Sequence, residues 1–267
     1  MSKSNPKLHI QQFIIKNNKA NLVIVHGLHE HSGRYAHVIA ALNEAGLGVY
    51  TFDLRGHGQS DGVKNFISDI DEYRQDMENV LRQVPTDKPL YLLGHSMGGL
   101  IVMNYMLYRD REDIAGVILS GSALEVGDDV SPLALKILGV VGKYLPQMKT
   151  VKVKPNQISR DLAEVEKYKN DPLNSLHGTK AGLGIALLQA IEELKPKFPQ
   201  FTHPILIMHG GADTITNPKG SKLLYETCNS DDKTLKLWDG AYHEIFNETN
   251  KDEVIDFMLD WLKIRIS

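Results

Sequence analysis

The stretch GHSMGG at 94–99 sets Ser96 in a G-x-S-x-G pattern, directly after the apolar run LYLLG and before a helical pattern. A serine on so tight a strand-to-helix turn takes a strained backbone, and glycines flank it because side chains there would collide with neighbouring backbone. The turn projects the hydroxyl away from the sheet. The chemistry that such a hydroxyl serves is acyl transfer through a covalent intermediate, and a serine needs a base and an acid behind that base to perform it.

Chain order prunes the partners. In a strand–turn–helix architecture of this kind the acid and then the histidine follow the serine, which leaves His177, His203, His209 and His243. His177 falls in an irregular segment, His203 lies at the amino end of a strand, and His209 reads as the last residue of that strand. His243, in the loop GAYHEIF between the run TLKLW and the last helix, is the expected base. Asp213, in MHGGADTITNP, follows the run PILIM at the sheet edge that also carries Ser96, and is preferred as the acid. Asp239 is the alternative, so close to His243 along the chain that the loop would have little freedom to orient the ring.

The histidine-rich stretch VIVHGLHEHSG at 23–33 admits two readings. His26, His29 and His31 beside Glu30 could form a zinc site, but their spacing lacks a familiar partner set. The reading adopted is the loop that supplies one oxyanion-hole N–H, that of Leu28, with Met97 after the nucleophile supplying the other. His26, at the strand end, is then expected to be a hydrogen-bonded loop anchor.

These residues need a scaffold that brings distant loops to one edge. Apolar runs recur as LVIV, GVYTF, LYLLG, GVILS, PILIMH and TLKLW, with helical patterns at 34–43, 70–82, 97–108, 219–227 and 252–264 between them. Continuous apolar strands alternating with helices imply a parallel α/β sheet covered on both faces. The opening HIQQFIIK alternates, as an edge strand does. The rhythm fails between 122 and 183, where VSPLALKILGVVGKYLPQM and then GLGIALLQAIEEL read as inserted helices. An insertion after a strand's carboxyl end lies over the ligand crevice, so this one is expected to be a cap. The expected division is a core at 1–121 and 184–267 with the cap at 122–183. Leu133, Leu135, Ile137, Leu138, Val140, Val141 and Leu145 crowd the cap with apolar groups, which either line a tunnel or pack onto the core.

Composition bounds the rest. Hydrophobic residues make up 42% of the 267 residues and charged ones 24%, as in a soluble globular protein, and no apolar run approaches the roughly 20 residues of a membrane span. The start MSKSNPKLHI lacks the apolar core of a secretory signal, and the single cysteine, Cys228, can form no internal disulfide; a cytoplasmic location is expected. Thirty basic against 33 acidic side chains leave a net charge of −3, which argues against a nucleic-acid partner.

Taken together, the motifs resemble those of the monoacylglycerol lipase branch of the serine α/β-hydrolases, an S33-like group. HGLHEHSGRY, RGHGQSDG at 55–62, GHSMGG and KTLKLWDGAYHEIFNE match its pattern, as do YKNDPLNSLHG and GLGIALLQAI in the insertion. The resemblance implies an α/β-hydrolase fold: a mostly parallel eight-stranded sheet, flanking helices and a helical cap. It implies no cofactor and no metal, a monoacylglycerol or similar lipid ester as substrate, and transient contact of the cap with a membrane surface. Carried over by position, Ser96, Asp213 and His243 are the triad, and Leu28 and Met97 the oxyanion hole. Glu30 and Arg34 fall where the family holds a polar network beside the glycerol end, unless they form a loop-stabilising ion pair. Phe246 stands where some members have a histidine near the glycerol, and Thr216 where mammalian members have a cysteine. A broad carboxylesterase or a lysophospholipase would share every catalytic residue, and a non-catalytic ligand-binding protein on the same fold is the remaining class.

Overall fold

Strands apolar on both faces need a layer on each side, and the chain builds both. The computed structural model describes residues 6–109, 111–127, 131–150, 154–176 and 178–266, which leaves His177 and the side chains of Leu133 and Leu135 outside the description. Its strands are β1 (Ile10–Phe13), β2 (Ala20–Val25), β3 (Leu47–Phe52), β4 (Leu90–His95), β5 (Ile114–Ser120), β6 (Ile205–Gly210) and β7 (Lys233–Trp238). The helices are α1 (Ala36–Glu44), α2 (Asp71–Leu81), α3 (Met97–Tyr108), α4 (Pro132–Tyr144), α5 (Leu162–Asn170), α6 (Ala181–Leu194), α7 (Pro218–Thr227) and α8 (Lys251–Lys263).

The strands form one sheet in the order β1-β3-β2-β4-β5-β6-β7, parallel except for β1, which pairs antiparallel with β3 at the edge. Period-two alternation decides which layer each side chain enters. Leu22 and Ile24 of β2 join α1 and α8 on one face, while Val23 and Val25 join α2, α3 and α7 on the other. The sheet among the described residues has seven strands, not the eight implied by the resemblance. The physical reason lies in the chain itself: seven runs have strand character, and residues 6–9, ahead of β1, form no strand. β7 is only partly buried along its length, as the outermost strand of the parallel set must be.

Between β5 and β6 the chain makes α4, α5 and α6 and no strand among the described residues. α6 packs on both α4 and α3, so it joins the insertion to the core, and it runs unbroken through position 184, where the expected division falls. α2 is fixed to the loop after β3 by Arg55, which binds both carboxylate oxygens of the buried Asp76 at 2.6 and 2.7 Å and reaches Glu72 at 2.6 Å.

The crossing of α3 over β2 is one of the close backbone approaches in the scaffold. A β-carbon at Gly98 would lie 2.1 Å from the Val25 carbonyl oxygen, and one at Gly94 would lie 2.6 Å from that of Gly98. Both distances are far inside van der Waals contact, so only glycine lets the helix seat against the strand end. Gly98→Ala is expected to lower unfolding free energy by about 1–3 kcal/mol through overpacking; wild-type stability in urea denaturation would show that this approach is not needed.

Candidate active site

Every group singled out for acyl transfer sits at the carboxyl edge of the sheet, because β2, β4, β6 and β7 run parallel and each hands its following loop to that edge. Ser96 follows β4 with φ 53° and ψ −119°, a left-handed conformation that a non-glycine residue adopts only when the surroundings impose it. Its Oγ lies 2.8 Å from His243 Nε2, and His243 Nδ1 lies 2.7 Å from Asp213 Oδ2. All three residues are buried. Asp239, the alternative acid, is exposed at the end of β7.

The Asp213 carboxylate is surrounded by donors. Oδ1 accepts from the backbone N–H of Ile215 at 2.8 Å and of Thr216 at 3.1 Å. Oδ2 accepts from the Thr216 hydroxyl at 2.8 Å and faces His209 Nε2 at 3.1 Å, in addition to His243. Burial pushes this carboxyl up, but the charge of His243 and the His209 and His243 hydrogen bonds overcome it and hold Asp213 well below the usual carboxylate range. For His243, burial pushes down while the Asp213 charge and hydrogen bond, with Glu244 and Glu30 beyond, push up; the net direction is up from 6.5.

Sequence reasoning set His209 aside as the end of a strand. β6 runs one residue further, to Gly210, and the intervening turn brings His209 back onto Asp213. The i,i+4 spacing of His209 and Asp213 across a Gly-Gly turn was the signal that could have found it. The resemblance marks Thr216 only as standing in place of a cysteine, yet its hydroxyl lies within 3.2 Å of both imidazoles.

The loop after β2 reaches the elbow through Gly27, where a β-carbon would lie 3.1 Å from Ser96 Cβ. Leu28 and Met97 therefore line the same cavity as Ser96, and Met97 is the first residue of α3, whose amino end favours negative charge. The histidines of this loop go to separate partners. His26 Nε2 accepts from Leu54 N–H at 2.9 Å and its Nδ1–H donates to the Gly27 carbonyl at 2.7 Å, so it anchors the loop. His29 pairs with Thr179 at 3.0 Å and His31 with Asp171 at 2.8 Å, both in the insertion.

Glu30 is buried at the cavity wall, accepting from Gly27 N–H at 2.5 Å, Tyr35 O–H at 2.8 Å and Arg34 at 3.0 Å. Burial pushes Glu30 up, but Arg34, His95 and His26 outweigh it and hold the group ionised. Arg34 lies behind it, bidentate on Glu244 at 2.6 and 2.7 Å and stacked 4.8 Å from the Tyr168 ring, and is not among the residues lining the cavity. Phe246 is also absent from the lining: its ring is buried in the apolar layer of α8, where a phenyl group gains more than at a polar wall.

The cavity over Ser96 also has a large apolar wall, formed by Leu28, Leu138, Ile158, Leu188, Ile191 and Ile215. Of the apolar residues that the sequence placed in a tunnel, Leu138 lines it, whereas Ile137, Val140 and Leu145 point to solvent. The correction has a helical cause: α4 offers one face inward, and α6 supplies most of the helical wall through Gly184, Leu187, Leu188 and Ile191.

Comparison with known proteins agrees with this geometry. The family model described as Serine aminopeptidase, S33 (Hydrolase_4) matches residues 16–250. An abhydrolase domain-containing protein of Dictyostelium discoideum is 38% identical over 92% of this chain, which spans only 26% of that relative's length. The monoacylglycerol lipase of Mycolicibacterium smegmatis is 35% identical over 90% of this chain and 87% of its own. The crystal structure of the Paleococcus ferrophilus monoacylglycerol lipase matches with a TM-score of 0.89 at 32% identity, covering 97% of this chain and 99% of that one. The matched span contains the elbow serine, the aspartate after β6 and the histidine after β7, and the chain belongs to the serine aminopeptidase S33 family of α/β-hydrolases.

Proposed function

We propose that the chain is a serine hydrolase that cleaves monoacylglycerols to a fatty acid and glycerol. The observation that carries this is the Ser96–His243–Asp213 chain of hydrogen bonds, at 2.8 and 2.7 Å, opening into an apolar cavity with acidic groups at its wall. Ser96 Oγ attacks the ester carbonyl as His243 Nε2 takes its proton, and Asp213 steadies the imidazolium that forms. The Leu28 and Met97 amides hold the oxyanion, His243 returns the proton to the departing glycerol oxygen, and water repeats the sequence on the acyl-enzyme.

The cavity wall supports a neutral alcohol. Glu30 and Glu244 line it and Arg34 balances one charge, so the wall carries net negative charge and disfavours a phosphate headgroup. Its apolar wall suits the hydrocarbon part of a lipid ester. Among the described residues no helix is long and apolar enough to cross a membrane, and the apolar side chains that α4 and its following turn present to solvent, Ile137, Val140, Tyr144 and Leu145, are the proposed contact with a lipid surface.

Fatty-acid release from monoacylglycerols of graded length, beside lysophosphatidylcholine and short nitrophenyl esters, tests the substrate. Long-chain monoacylglycerols are expected to be turned over best, and Ser96→Ala to lower kcat by about 10⁶-fold; activity confined to short esters would make the chain a general esterase. Because the neutral imidazole is the base and its pKa is raised, kcat/KM should climb with pH through a limb above 6.5. A limb below that value would mean that burial, not Asp213, governs His243. In liposome flotation, Ile137→Ser with Val140→Ser is expected to reduce binding while leaving turnover of a soluble ester intact, and unchanged flotation would remove α4 from the lipid contact.

A further inference from the structure

Asp213 Oδ2 is flanked by a second imidazole that the mechanism above does not use. His209 is completely buried, with Nε2 3.1 Å from Asp213 Oδ2 and Nδ1 2.8 Å from the Ser221 hydroxyl on α7. An ionised carboxylate can only accept, so the proton between them belongs to His209 Nε2. Ser221, itself fully buried, then meets Nδ1 and fixes the ring from the other side. Thr216 Oγ1 lies 3.2 Å from His209 Nε2 and 3.2 Å from His243 Nδ1, between the two rings.

Building on the active-site reading proposed above, we infer that His209 is a positioning residue for the relay, donating Nε2–H to the oxygen that His243 uses and sharing one carboxylate between two imidazoles. The need for it follows from what faces His243. Asp213 bonds it from the loop after β6, Glu244 adjoins it in its own loop, and Glu30 and Arg34 stand across the loop after β2. His95 packs against it from β4, ring to ring at 4.9 Å. The carboxylates favour the protonated form of His243 against the opposing effect of burial, and a base that kept its proton at neutral pH would not work. A donor on the far side of Oδ2 draws charge away from the His243 bond and keeps that pull in check. An apolar side chain at 209 would fill the volume but remove one of the three donors that share Oδ2, leaving more of its charge to His243 and the Thr216 hydroxyl.

The rate of Ser96 labelling by a fluorophosphonate, measured on the full chain across pH, tests this without knowledge of the substrate. His209→Leu is expected to move the acidic limb about half a pH unit upward, so that labelling below the limb falls about threefold. His209→Gln, whose amide Nε2 can reach the same oxygen, should return the limb to its wild-type place. If His209→Leu fails to fold by thermal melting, His209→Asn replaces it with the same expected shift, since its amide overlays Nδ1 and falls short of Oδ2. A limb that stays put or moves to lower pH, or a Gln variant that behaves like the Leu or Asn variant, overturns the inference. Absence of labelling at Ser96 in the wild type would instead overturn the active-site reading on which it rests.

Discussion

A carboxylate buried as deeply as Asp213 keeps its charge only if donors surround it, and the turn after β6 is built to supply them. The sequence ADTITN folds so that two backbone N–H groups meet Oδ1 while the Thr216 hydroxyl meets Oδ2. Asn217 then caps α7 through its side chain, and the bridge between Val126 and Thr216 ties the same turn to the segment after β5. Each of these contacts would be an ordinary loop bond elsewhere. Around a desolvated charge they decide whether the acid is ionised at all, and an acid that took up a proton would leave His243 without its orienting partner.

A second constraint runs through the loop after β2, which packs against Ser96 on one side and the insertion on the other. Gly27 brings its backbone against Ser96, while the His29 ring binds Thr179 and the His29 carbonyl accepts from Ser175 N–H at 3.0 Å. His31 holds Asp171, and Asn65 reaches Ser175 at 2.6 Å from the loop after β3. His29 has φ +66°, uncommon for a side chain of its size, and these bonds to the insertion are among the contacts that hold it there. The wall of the cavity and the backbone beside Ser96 are therefore one mechanical unit. A displacement of the insertion from this seam would be felt at the Leu28 amide, one residue away from His29.

The sheet and its order of elements were legible because burial on both faces leaves a plain signature, and runs such as LVIV and PILIMH lie in strands at β2 and β6. Ser96, Asp213 and His243 were legible as well, since each is tied to the end of a strand and chain order restricts the choice. What could not be read were contacts between positions that only the turns bring together. His209 looked like the end of a strand because its apolar run dominates the pattern, and the i,i+4 spacing to Asp213 across two glycines gains meaning only once the turn folds back. The apolar excess of α4 hid its own division: Leu138 and Ile137 are neighbours in sequence, yet one lines the cavity and the other is 55% exposed. Phe246 was assigned by position against relatives, and its ring instead follows the apolar layer beneath α8.

The cluster of Glu30, Arg34 and Glu244 raises a question that stability does not answer. Removing three charges from water is expensive, and well-packed apolar residues would hold the loops after β2 and β7 together at least as well. The side chains are instead arranged so that the positive member lies behind, clasped by both carboxylates and covered by Tyr168, while Glu30 and Glu244 border the cavity. Arg34 holds the carboxylates in one geometry and keeps Glu30 ionised in a place where burial alone would protonate it. A neutral, protonated Glu30 could offer a donor; an ionised one offers only acceptors. On the proposed mechanism that difference selects the alcohol half of the substrate, because hydroxyl groups can donate to such a wall and phosphate oxygens cannot.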